Sequence, residues 1–191
     1  MNRKLRDGTV VTISGGRKEP VSGITYSNPD YDAGWGWDFT AAAVRYDGTL
    51  FINSFRHLAI LDPETYEVTY VAKFNNEHAS YDPSVRNIMS HPETGEIYAF
   101  AYIIDDVTPE FSGEYYCKVD TETGYLTPIW KITNDLAADA EIWNWAYAYV
   151  DADTVAIYAN HGYFWLVNED DGTLIQEIFT DFYAPNGEQQ T

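Results

Sequence analysis

A chain of 191 residues with 45% hydrophobic and 16% aromatic side chains is long enough to bury a substantial core. Its 30 acidic against 11 basic residues give a formal charge of -19, which repels phosphate backbones and sets nucleic acid aside as a partner. No run of about 18 apolar residues predicts a membrane span, no apolar leader of a signal peptide is present, and a single cysteine, Cys117, leaves no intrachain disulfide.

The charge is uneven along the chain. Residues 1–18 hold Arg3, Lys4, Arg6, Arg17 and Lys18 against Asp7, a local balance of +4 that leaves -23 on the remainder. A basic arm of this kind suits docking onto an acidic body, its own or a neighbour's. Two strands are predicted in residues 9–14 and 21–27, separated by Gly15 and Gly16. Residues 7–10 match 171–174, so residues 1–39 read as N-terminal strands and a basic arm forming a partial blade.

Asp30, Asp32 and Asp38 follow at even spacing among Gly34 and Gly36. Clustered carboxylates on a flexible loop suit calcium, so these three are the candidate metal ligands, although the ligand order of an EF-hand and its closing Glu are missing.

From residue 40 onward one unit recurs. Residues 57–61, 114–119 and 163–167 are runs of β-branched and aromatic residues, and each leads into a turn beginning at Asp62, Asp120 or Asn168. Aligned on those three positions, Leu61, Val119 and Val167 stand one residue before, and Val68, Leu126 and Leu174 stand six after. His57, Tyr115 and Tyr163, all with flat rings, stand five before. The turn residues favour a hairpin, since Asp and Thr side chains bond their own backbone and Gly accepts positive φ.

A second hairpin precedes each copy. It turns at Asp47 and Gly48, at residues 92–95, and at residues 151–153, so each unit holds about four short strands. Leu50, Ile97 and Val155 mark equivalent positions 47 and 58 residues apart. The longer interval accommodates residues 103–113, with Asp105, Asp106, Pro109 and Glu110, expected as an extended surface loop. The only predicted helical turn is residues 134–141.

Four antiparallel strands repeated every 40 to 50 or so residues predict an all-β chain of β-propeller-like blades, stacked because a lone blade cannot bury its two faces. The repeats run over residues 40–74, 85–132 and 142–178, with a C-terminal tail over 179–191. A β-sandwich of consecutive hairpins is the alternative. Three and a half blades fall short of the roughly four to eight of a closed ring, so the ring is expected to be incomplete unless a partner or second copy completes the stack.

The hairpin turns resemble those of the YVTN-type and quinoprotein-like propeller repeats. The resemblance rests on D-x-x-T-G at Asp120, Thr123 and Gly124, D-x-x-T-Y at Asp62, Thr65 and Tyr66, and N-x-x-D-G at Asn168, Asp171 and Gly172. It implies the architecture. The docking Trp of the quinoprotein motif has no counterpart at its spacing here, Trp130 standing six residues after Gly124, so no quinone cofactor is carried over.

Aromatic residues two apart share a face of a strand, as do Trp35 with Trp37, and Trp143 with Trp145, Tyr147 and Tyr149. Such stripes pack blade on blade, or stack on sugar rings where exposed. His57, His78, His91 and His161 are dispersed, and no nucleophile elbow or phosphate-binding loop occurs. The expected function is therefore a non-catalytic protein-interaction or structural module in a larger assembly, such as a virion or cell surface. The alternative is a carbohydrate-binding module using Trp35, Trp37 and Trp143.

Overall fold

One turn, built four times, shapes the hairpins of this chain. In the copy at Asp120, the carboxylate Oδ1 accepts from the backbone N–H of Glu122 at 2.8 Å and of Thr123 at 3.1 Å, and the Thr123 hydroxyl accepts from the Tyr125 N–H at 3.3 Å. Gly124 N–H donates to the Asp120 carbonyl at 2.8 Å, and Asp120 N–H to the Tyr125 carbonyl at 2.9 Å. The same bonds recur at Asp62 and Asn168. They recur again at His91, where the imidazole Nδ1 takes the place of the carboxylate and accepts from Glu93 and Thr94 at 3.2 Å each. Two successive backbone donors are thus satisfied by one side chain, which fixes the loop length and with it the strand register.

The computed structural model describes residues 2–4, 10–12, 39–132, 144–159 and 163–179. Strand β1 (Asn2–Lys4) pairs antiparallel with β2 (Val10–Thr12). Then come β3 (Ala41–Val44), β4 (Leu50–Ser54), β5 (His57–Leu61) and β6 (Val68–Lys73), joined in that order as one antiparallel sheet, blade 1. Blade 2 is β7 (Ser84–Ser90), β8 (Ile97–Ile103), β9 (Gly113–Val119) and β10 (Leu126–Lys131). Blade 3 is β11 (Asn144–Asp151), β12 (Thr154–Ala159), β13 (Tyr163–Asn168) and β14 (Leu174–Phe179).

In every blade the strands pair with their sequence neighbours and no strand crosses to another blade. Strands from distant repeats do not interleave, which removes the sandwich alternative. The first strands lie together, β3 alongside β7 and β11 approaching β7, while β6, β10 and β14 form the outer edges. The architecture is an incomplete β-propeller of four-stranded blades, with the ring not closed among the described residues.

The core lies between blades. Ala43, Phe51 and Leu58 of blade 1 meet Val85, Ile88, Ile97, Ala99, Cys117 and Leu126 of blade 2. Burial pushes the Cys117 thiol up to about 12, so it packs as a small apolar group. The other face of blade 2 offers Met89, Phe100, Tyr116 and Trp130 to Tyr147, Val155, Ile157, Trp165 and Val167 of blade 3. Covered on both sides, β8 is an almost unbroken apolar run, IYAFAYI, in which Ile97, Ala99, Phe100, Ala101 and Ile103 are all buried. Polar bonds stitch the same joints, among them Asn53 Nδ2 to the Val85 carbonyl at 3.1 Å and Asn87 Nδ2 to the Tyr147 carbonyl at 2.8 Å.

The predicted strand over residues 9–14 is observed as Val10–Thr12, paired back onto Asn2–Lys4; residues 21–27 lie outside the described residues, as does the helical turn expected over 134–141. The loop after β8 lies at the surface, as expected, with Ile104, Asp106, Val107, Pro109 and Glu110 exposed. A 3-10 turn, Pro109–Phe111, closes it, and buried Asp105 accepts from the Val107 and Thr108 N–H groups at 2.8 Å each.

Candidate interaction site at the open end of the blade stack

The fifth residue of the repeated turn has positive φ in every copy: Gly95 at 65°, Gly124 at 70°, Gly172 at 71° and Tyr66 at 61°. Glycine is required twice over at the internal joints. A Cβ on Gly124 would stand 2.5 Å from the Lys73 carbonyl oxygen of β6, and one on Gly172 would stand 2.6 Å from the indole of Trp130 on β10. These turns are where a blade touches the outer strand of the blade before it. Blade 1 has no preceding blade among the described residues, and there a full side chain, Tyr66, occupies the fifth position.

Beside Tyr66 the face of blade 1 turned away from blade 2 holds a cleft of about 650 Å³. Its lining comes from the start of β3 (Phe39, Thr40, Ala41, Ala42), the middle of β4 (Ile52), and the β5–β6 hairpin (Leu61, Tyr66, Val68). Alternation explains the set. Phe51, facing the other way, enters the joint with blade 2, whereas Ile52, Ala59, Leu61 and Val68 gather on the opposite side as a small separate cluster in which Ile52, Ala59 and Val68 are buried. Among the described residues, Thr40 supplies the only hydroxyl apart from that of Tyr66 itself, and no charged side chain lines the cleft. Asp62, Glu64 and Glu67 are exposed on the turn that carries Tyr66. Asp62 is held below the usual carboxylate range by the Thr65 and Glu64 N–H groups, so it stays ionised.

At the other end of the described stack the outer strand is exposed. Every residue of β14 is exposed, including Leu174, Ile175, Ile178 and Phe179, and Val150 on β11 is 58% exposed. In the equivalent strands, Val68 of β6 and Leu126 of β10 are buried.

Of the aromatic stripes, the described members Tyr147 and Tyr149 are packing. Tyr147 stacks on Phe100 with ring centroids 3.7 Å apart, and Tyr116 lies between Tyr98 at 5.3 Å and Trp130 at 5.0 Å. The Tyr116 hydroxyl donates to Glu169 Oε1 at 2.6 Å and also meets the Tyr149 hydroxyl. Burial first, then the Glu169 hydrogen bond, raises the Tyr116 phenol far above its ordinary range, so it remains a donor. Trp130 Nε1–H donates to the Glu169 carbonyl at 2.7 Å, and Trp165 Nε1–H to Glu177 Oε2 at 2.9 Å. These two tryptophans seal the joint between blades 2 and 3.

The residues singled out from sequence as sugar ligands, Trp35, Trp37 and Trp143, and as calcium ligands, Asp30, Asp32 and Asp38, lie outside the described residues. Among the described residues no three His, Cys, Asp or Glu side chains converge on a metal-sized site, and no helix is long and apolar enough to cross a membrane. The cleft residues were missed. Their one visible signal is Tyr66 standing where Gly124 and Gly172 stand in the other copies.

No family model matches this chain, and no curated protein does. Among solved structures the chain is similar to the crystal structure of BamB from Moraxella catarrhalis, at 14% sequence identity and a TM-score of 0.41. The match covers 78% of this chain and 40% of that one, so this chain spans well under two thirds of that protein's length.

Proposed function

We infer that this chain is a non-catalytic protein-interaction module whose blade stack presents its terminal faces to other proteins. The observation that carries the reading is the contrast between joints and ends. Internal faces are buried and bonded, whereas the ends expose Phe39, Tyr66, Val150, Ile175 and Phe179. Contiguous apolar surface on a folded chain of charge -19 favours a partner over open solvent.

Site-specific photo-cross-linking in the chain's own host tests this. A photoreactive residue placed at Phe179 or Val150 is expected to yield discrete adducts with another protein, while one placed at exposed Glu122, on a polar turn, yields none. Equal labelling at all three positions, or none at any, would remove the support for an interaction module.

A further inference from the structure

We propose that the turn between β7 and β8 is a proton-sensitive latch, with His91 as its sensor, that ties blade 2 to both neighbouring blades at neutral pH and loosens them on mild acidification.

The position of the turn makes it a latch. Ser90, at the end of β7, donates its hydroxyl to the Val44 carbonyl of blade 1. The Gly95 carbonyl accepts from the Tyr46 N–H at 3.0 Å, and a Cβ on Gly95 would stand 2.7 Å from the Tyr46 Cα, so the turn lies directly against blade 1. On its other side the His91 ring meets Tyr149 of β11 edge-on, with centroids 5.2 Å apart. The same ring lies 5.9 Å from Tyr98, which stacks on Tyr116 at the joint with blade 3. One short loop therefore touches both joints.

The chemistry of the turn makes it sensitive. His91 Nδ1 accepts from the backbone N–H groups of Glu93 and Thr94 at 3.2 Å each. It does so through a lone pair, which a proton on that nitrogen removes. Imidazolium donates from both nitrogens, so it would face two backbone donors and leave them without their acceptor. The three equivalent turns lack this weakness. Asn168 accepts through an amide oxygen, and Asp62 and Asp120 through carboxylates held below their ordinary range by turn N–H groups. Histidine is the side chain whose ordinary charge change falls between about pH 5 and pH 8, so among these four turns mild acid acts on this one. The two bonds, and the stability they bring, are present at the upper end of that interval and are lost as pH falls through it.

The groups around the ring are Tyr98 of β8 and Tyr149 of β11, both phenols raised above their ordinary range by burial and therefore uncharged. Charge comes from Glu93 in the turn itself, from Glu96, whose carboxylate pairs with Lys118 at 2.7 Å, and from Glu169, which acts on both tyrosines.

The test compares the full chain with its His91→Asn variant, which supplies the acceptor that Asn168 supplies in blade 3, in thermal melts from about pH 8 to about pH 5. Losing the ring contacts lowers the variant's melting temperature at every pH, so the readout is the change with pH. His57, His78 and His161 are common to both proteins and drop out of the difference. Across the interval the parent is expected to lose about 3 °C or more beyond what the variant loses. Amide exchange followed by NMR is expected to quicken in the parent relative to the variant at Glu93, Thr94 and Tyr46 as pH falls, and to keep a level ratio at Glu122 and Thr123 of the Asp120 turn. Parallel melting curves overturn the proposal. So does quickened exchange confined to Glu93 and Thr94, since the turn would then open without loosening blade 1. Should His91→Asn not fold, His91→Asp, the residue of two equivalent turns, takes its place in the same comparison, with the same outcomes deciding it.

Discussion

Tyr66 is one tyrosine among 16, yet it alone among the described non-glycine residues sits at positive φ. Outside glycine that region costs roughly 1–2 kcal/mol. Tyr66→Gly is expected to stabilise the fold by about 1 kcal/mol in urea denaturation, offset by the greater entropy of an unfolded glycine. Gly124→Ala is expected to act oppositely and more strongly, losing 2 kcal/mol or more, because backbone strain adds to a contact with the Lys73 carbonyl. Equal and small effects at both positions would show that the inter-blade approach imposes no demand on the residue. From sequence, the alignment of Tyr66 with two glycines was already visible. Its meaning was not, since the reason for glycine is an atom of a different blade.

The element that recurs is the turn, and its chemistry predicts a response to acid. Asp62 and Asp120 are both held below the ordinary carboxylate range, chiefly by backbone N–H groups of their own turns. A folded-state pKa below the unfolded one means that these carboxylates contribute stability above about pH 4, and that the contribution disappears as pH falls through the lower, folded value. Asn168 makes the same bonds without a charge. The Asp62→Asn, Asp120→Asn double variant is therefore expected to be less stable than the parent at pH 6 and to approach it as pH drops below about 4, in thermal melts across that range. A constant gap between the two would refute the account. The hairpins and their four-strand grouping were legible because turn residues and apolar alternation are local signals. The turn at His91 was read as separate because the alignment was anchored on an acid or amide, whereas an imidazole nitrogen can accept the same two hydrogen bonds.

At the scale of the molecule, stability resides in the joints rather than within any blade. Blade 2 is packed on both sides, so removing a ring there should affect the whole stack. Phe100→Ala, which empties the space between Tyr116, Trp130 and Tyr147, is expected to cost about 3–5 kcal/mol. Ile175→Thr, on the bare outer strand of blade 3, is expected to stay within about 0.5 kcal/mol. Chemical denaturation of both variants checks the pair, and similar losses would contradict the asymmetry between joint and end. The cleft itself could not be read from the sequence. Ile52 and Leu61 carry the same alternating pattern as residues of the inter-blade joints, and only the stacking order decides which face meets another blade among the described residues.

The spacing at Gly124 and Gly172 also governs how such an array can grow. At both joints a neighbouring carbonyl or indole takes the room that a hydrogen atom leaves, so a residue with a Cβ at the fifth turn position does not suit a joint of this kind. A single position in a five-residue loop therefore sets how closely two repeats can stack.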